Sequence, residues 1–434
     1  MAAKHRAATG RLRGGVRYSR DDPSSPHFHV TALPRNAQFR DVGIGADVSG
    51  RTPWALILAL WGAGLGAAAQ YGKVSVIFDV LGDVYPDAGA GLGFVVSLVG
   101  FVGIVLGVVA GVVAAQIGFR RAMVIALWAG AVVSGLQALL PPLSGLLALR
   151  VIEGASHLAI VVAAPTLIAR LSAPADRAFC LTLWATFFGV AFALLAWVGR
   201  PLALAAGVPA LFAAHGVYMA VFAVFLGRRL KAVEGGAPAA PLSVRQVLHE
   251  HLVIYRSPRI AAPAAGWLFY TFSFVSILTV LPPYLAPEVR GLIMGAMPLT
   301  SIAVSMTAGV FLLRWLTAVQ VVQLGFVVSA MAMLWLWVLP GDALACLVLA
   351  GAMGLVQGAS FAAVPQLNDD PAAQARANGA MAQMGNIGNT LGTPVMAAAL
   401  AGAGYVALPV LAGAAFVAGL LAHLALARRR AAGG

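Results

Sequence analysis

Three ionisable residues, Arg150, Glu153 and His157, stand inside an otherwise apolar run from Leu143 to Arg170. Their spacings of three, four and seven put them on one face of a helix. An ionisable group in hydrocarbon costs several kcal/mol unless it is paired or hydrated, so a stripe of this kind has to line a polar path. Arg150 offers a fixed positive charge and a planar donor fork suited to a carboxylate, phosphate or sulfonate. Glu153, one turn on, has two readings: it neutralises Arg150 or a facing helix, or an incoming anion or proton competes for the pair. His157 titrates near neutral pH and could relay protons, or it could bond a neighbouring helix.

A second polar group lies in the first apolar stretch. Lys73, with Gln70 and Tyr71 just before it, either points into the same path or snorkels to an interface. Asp79 reads as a solvated helix end, and His215 is ambiguous. The second half of the chain offers amides and hydroxyls instead of charge: Gln323, Gln357, Gln383, Asn386, Asn389 and Tyr270. Buried amides need partners, so these are either solute contacts or clasps between helices. The two cysteines, Cys180 and Cys346, lie far apart in apolar runs and have no metal-ligand or disulfide spacing. No metal site and no cofactor are expected.

The elements that carry these residues follow from composition. Of 434 residues, 61% are hydrophobic and 10% charged, against about 25% charged in a soluble domain. Apolar stretches long enough to cross about 30 Å of hydrocarbon recur from Pro53 onward, twelve in all, so the fold class is an all-α membrane protein. The net charge of +13 is dispersed between apolar blocks, which excludes the basic face a nucleic-acid binder needs. The positive residues mark alternate breaks: Arg120 and Arg121, Arg177, the segment 228–259, Arg314, Arg376 and Arg428 to Arg430. The other breaks hold Asp83, Asp87, Glu288 and Asp342 beside Arg200 and Arg290. By the positive-inside rule both termini are expected in the cytoplasm.

Residues 1–52 form a polar tail with nine Lys or Arg, expected to be cytoplasmic and disordered. A first six-helix bundle is expected over 53–227, a cytoplasmic inter-bundle loop over 228–259, a second bundle over 260–427 and a cytoplasmic tail over 428–434. An internal repeat supports the division. Val151-Ile152-Glu153-Gly154-Ala155-Ser156 in the fourth stretch matches Leu355-Val356-Gln357-Gly358-Ala359-Ser360 in the tenth, each followed by a proline within the helix, Pro165 or Pro365. A loop is expected after each, over Pro174 to Arg177 and Pro371 to Arg376. Duplicated six-helix bundles with a path between them are a recognised transporter plan.

With these residues in place the chain resembles the major facilitator superfamily, over roughly residues 54–427. The break Gly111 to Arg121 is similar to that family's loop signature, although Ala115 and Gln116 stand where the family usually has Asp and Arg. Arg150 followed by Gly154 resembles the fourth-helix signature, whose arginine faces the central cavity. The fifth-helix antiporter signature is poorly represented: Gly189 lacks a glycine-proline pair, and a glycine-rich piece from Gly385 to Pro394 lies in the eleventh stretch instead. The resemblance implies two pseudo-repeat bundles, a gating loop at Gly111, Gly118, Arg120 and Arg121, and a site drawn from Arg150, Glu153, His157, Lys73, Gln70, Gln357, Asn389 and Tyr270. It also implies a monomer in the bacterial inner membrane.

The expected function is secondary active transport of a small solute, an organic anion, coupled to protons. The alternatives are a proton-driven exporter of amphiphilic compounds and, more distantly, a membrane-embedded enzyme or a non-transporting receptor. The enzyme reading has little to stand on. Asn368-Asp369-Asp370 is similar in composition to the acidic metal sites of membrane prenyltransferases, but Pro371 follows at once and no second acidic cluster exists. The chain also carries no phosphate-binding loop or nucleophile elbow.

Overall fold

The computed structural model describes residues 51–107, 110–230 and 252–432; most of the expected N-terminal tail and inter-bundle loop lies outside the described residues. Along the described residues twelve helical passes follow one another. The first six are α1 (Trp54–Ser75), an interrupted α2 over 93–106 and 110–117, α3 (Phe119–Gln137), α4 (Leu143–Leu171), α5 over 177–206 and α6 (Val208–Arg229). The second six are α7 (Ala261–Val280), α8 (Pro287–Leu312), α9 (Ala318–Val338), α10 (Ala343–Leu367), α11 (Pro371–Ala403) and α12 (Ala407–Ala432). No strand occurs among the described residues. In hydrocarbon a chain must satisfy its own backbone, and a helix does so within one segment.

Helix ends follow local chemistry. Gly118, with φ 91°, turns the chain between α2 and α3 in a backbone region that residues with a Cβ avoid. Gly404, with φ 63°, does the same between α11 and α12, so the apolar run of 57 residues from Arg376 to Ala432 is two antiparallel helices. Asp370 accepts a bond from the Ala373 amide at 3.0 Å and Pro371 takes the first helical position. The loop expected over Pro371 to Arg376 is therefore the first turn of α11. At the other end α12 continues through Arg428 to Arg430, and Arg430 donates to the Pro258 carbonyl at 3.0 Å.

Three helices are irregular. In α2 the α-helical ladder runs Gly93–Ser97, tightens into a 3₁₀ turn at Leu98–Gly100 and resumes over Phe101–Leu106. In α5 and α8 single π turns interrupt the helix at Leu195–Gly199 and Ser305–Gly309, a feature frequent at functional sites. These are also the helices that join the halves, since α2 packs on α11 and α5 on α8.

The two ends of the molecule differ. Toward the end carrying Asp79, Asp83, Asp87, Glu288 and Asp342, one apolar core draws on both halves, bringing Tyr71, Val74 and Ile77 of the first together with Phe274, Ile277 and Leu278 of the second. Toward the arginine-rich end the core separates. One cluster belongs to the first half, around Leu60, Met123 and Leu127, and another to the second, around Ile254, Val364 and Met381. The seal on the acidic side is close-packed. Ser75 and Thr279 share a 2.7 Å hydrogen bond between α1 and α7. In α2, Gly93 meets the backbone of Pro394, and Gly100 and Gly103 meet Thr390 and Asn386. Small residues let helices approach in this way.

Candidate functional site

Lys73 from α1, Ser134 and Gln137 from α3, Arg150 and Glu153 from α4 and His215 from α6 converge in the interior of the first half. All are buried. Glu153 is the hub. Its Oε1 accepts from the Lys73 ammonium at 2.6 Å and its Oε2 from the Gln137 amide at 2.7 Å. Arg150 donates through Nη1 to the same Oε2. Lys73 also reaches Ser134 Oγ at 2.6 Å and His215 Nδ1 at 3.2 Å.

The contacts of His215 agree with a neutral ring. Its Nε2 lies 2.9 Å from the Gly66 carbonyl, which can only accept, so Nε2 carries the proton. Nδ1 faces the Lys73 ammonium at 3.2 Å and the Ser134 hydroxyl at 2.6 Å; an ammonium can only donate, and it meets a lone pair there when Nδ1 is the acceptor of a neutral ring. With Lys73 and Arg150 both protonated the cluster holds two cations and one carboxylate, with side chains of Lys73, Arg150 and Glu153 at 0% exposure. One positive charge is left over in a place where, on insertion scales, each charge costs about 3 kcal/mol.

Arg150 has further partners. Nε donates to the Val95 carbonyl at 2.5 Å and Nη2 to the Val96 carbonyl at 3.3 Å, both in the last α-helical turn before the α2 break. His157, although on the face of Arg150 and Glu153, does not reach the carboxylate: its Nδ1 bonds the Ala67 carbonyl at 2.9 Å and its ring meets Tyr71 edge-on at 5.1 Å. Gln70 donates to Ser156 at 2.9 Å, tying α1 to α4. Lys73 therefore belongs to the interior and not to an interface.

Among the described residues the second half contributes no charged side chain here. Tyr270 is buried and stacked between Trp267 and Phe274, with ring centroids 4.7 and 5.4 Å away. Phe274 in turn meets Phe188 and Phe192 of α5 at 6.3 Å. Gln357 is half-buried on α10, and Asn389 on α11 has a buried Oδ1 with no bonding partner. Gln383 accepts from Tyr255 at 2.8 Å. At the loop after α2, Arg120 donates to the Gly227 carbonyl in the last turn of α6 at 2.8 Å, and Arg121 is exposed. Gly111 lies in the last segment of α2. Reasoning from sequence passed over Ser134 and Gln137; their spacing of three within an apolar helix is the signal that points to them. No group of three or more His, Cys, Asp or Glu placed to hold a metal occurs among the described residues.

Near the acidic end, outside this cluster, Arg200 grips Asp79 with two bonds of 2.6 and 2.8 Å and also donates to the Val76 carbonyl at 2.8 Å. Burial alone raises the Asp79 carboxyl, but the bonds and charge of Arg200 outweigh it and hold the group below its usual 3.8.

The comparisons with known proteins agree with this architecture. The crystal structure of the human organic anion transporter MFSD10 (TETRAN) superposes with a TM-score of 0.64 at 16% identity, covering 85% of this chain and 98% of that one. A mutant of the nucleoside transporter NupG superposes with a TM-score of 0.70, also at 16% identity, covering 86% of this chain and 99% of its own. No curated protein sequence matches the chain. The sequence profile of the Major Facilitator Superfamily matches residues 56–393, most of the span from α1 to α11, and the chain belongs to that superfamily of membrane transporters.

Proposed function

We propose that the protein is a proton-coupled symporter of a small organic anion, working by alternating access in the inner membrane with the arginine-rich end and both termini in the cytoplasm. The observation that carries this reading is that two buried basic groups, Lys73 and Arg150, converge on one buried carboxylate, Glu153. An anion arriving from the open end is attracted by the two basic groups. Its engagement with Lys73 or Arg150 removes a counter-charge from Glu153, and the carboxylate then takes up a proton; binding and protonation become linked, as symport requires. The distribution of core contacts supports an inward-facing state, sealed on the acidic side and parted on the basic side. The organic anion named for one of the structural neighbours is consistent with this choice.

Thermal unfolding of the purified protein across a panel of organic acids and cationic drugs tests the substrate class. Monoanions are expected to raise the melting temperature in the parent. Stabilisation by cationic amphiphiles, with none by anions, would favour the exporter of amphiphilic compounds instead.

A further inference from the structure

We infer that Arg150 is a positioning residue that controls which end of the transporter is closed, by clasping the break in α2 against the α2–α11 seal. The inference goes beyond the transport reading, because it concerns the solute-free protein and holds whatever the solute is.

The argument begins with the backbone. A helix that stops leaves its last carbonyls without amide partners, and in a water-free interior they must find others. The α-helical part of α2 stops at Ser97, and the Val95 and Val96 carbonyls of that last turn receive Arg150 Nε and Nη2. Gly154, one turn beyond Arg150, lies directly against the Val99 carbonyl, so α4 touches the break with a clasp and a flat face together. The opposite side of the same break is the seal: Gly100 faces Thr390 of α11 and the Tyr71 hydroxyl, and Gly103 faces the Asn386 side chain. The shape of one short turn, 98–100, therefore sets both the fit to α4 and the fit to α11.

Arg150 cannot serve every claimant. Its fork is already divided among two carbonyls and Glu153. Drawing the guanidinium away leaves the Val95 and Val96 carbonyls unpaired, and α2 regains partners by straightening into a continuous helix. A straight α2 no longer presents Gly100 and Gly103 at the depth that α11 requires. The acidic-side seal loosens and the opposite end closes.

The test uses spin-label distances in the full-length, solute-free protein, measured by pulsed electron resonance. One pair sits at Leu139 and Val338, both exposed at the acidic end, and the other at Phe179 and Trp315, exposed at the basic end. Arg150→Lys keeps the buried charge but cannot span two carbonyls and a carboxylate at once. It is expected to add a longer component to the acidic-end distances and a shorter one to the basic-end distances, and Arg150→Gln to do so more strongly. Ser156→Ala removes a buried hydrogen bond of the same helix, to Gln70, without touching Arg150, and is expected to keep the parental distances. Hydrogen exchange of the 93–106 amides should rise in Arg150→Lys and not in Ser156→Ala. Should Arg150→Gln fail to fold, the lysine variant decides. Parental distances and parental exchange in Arg150→Lys overturn the inference, as does an equal shift in Ser156→Ala.

Discussion

Between Lys73 and Arg150, Glu153 is the one buried carboxylate among the described residues, and this asymmetry gives opposite expectations for removing the two kinds of charge. Glu153→Gln leaves two uncompensated cations, a change that costs about 3–5 kcal/mol when a buried pair is broken. Lys73→Met leaves Arg150 and Glu153 as a neutral pair and fills the space with an apolar chain of similar length. Thermal unfolding at pH 7 should therefore place Glu153→Gln well below Lys73→Met, although Lys73→Met loses anion binding. The reverse order would mean that a carboxylate elsewhere balances the site. The spacing of Arg150, Glu153 and His157 made the polar face of α4 legible from sequence, because an ionisable residue in hydrocarbon must be explained. Ser134 and Gln137 were not legible in the same way. A neutral polar residue in an apolar helix can bond its own backbone, and only the approach of α3 to α4 shows that these two serve Glu153.

Individual elements carry two further expectations. At the acidic end Arg200 holds Asp79 below its ordinary value of 3.8, so the folded protein binds this proton less readily than the unfolded chain does. The contribution is full above the unfolded value and fades as pH falls through the carboxylate range; it is small, because Asp79 is 37% exposed. The melting-temperature gap between parent and Asp79→Asn should accordingly narrow between pH 7 and pH 3. Within the second half, Gly392 of α11 lies on the Phe272 backbone carbonyl of α7, whereas Gly103 of α2 lies on the movable Asn386 side chain. Gly392→Ala should cost about 1–3 kcal/mol of stability by overpacking, and Gly103→Ala should cost less stability while widening the α2–α11 gap. Equal melting temperatures for the two variants would contradict the packing argument. Most helix limits could be read from apolar runs and breakers such as Gly118. The interruption of α2 could not, since Leu98-Val99-Gly100 reads as ordinary membrane helix and the partners of the break, Arg150 and Gly154 of α4, lie some fifty residues on in the sequence.

For the molecule as a whole, the number of passes, the division into halves and the alternation of charge between the two ends could all be read from periodicity and positive-inside bias. Which end is shut could not, because both ends are built from helices of similar composition and only the contacts between halves distinguish them. Ser75 and Thr279 sit at the seal with hydroxyls 2.7 Å apart, and the native Cys180 and Cys346 are buried. A Ser75→Cys, Thr279→Cys pair should cross-link under oxidation, stop turnover and recover it on reduction; transport unaffected by complete cross-linking would argue against movement at this seal. The most direct test of the account is accumulation of labelled organic anions in proteoliposomes under an imposed pH gradient. The parent protein is expected to concentrate a monoanion when the proton gradient points inward, Glu153→Gln to exchange it without concentrating it, and Lys73→Met to do neither. Accumulation by Glu153→Gln equal to the parent, or movement of cationic compounds with no movement of anions, would contradict it.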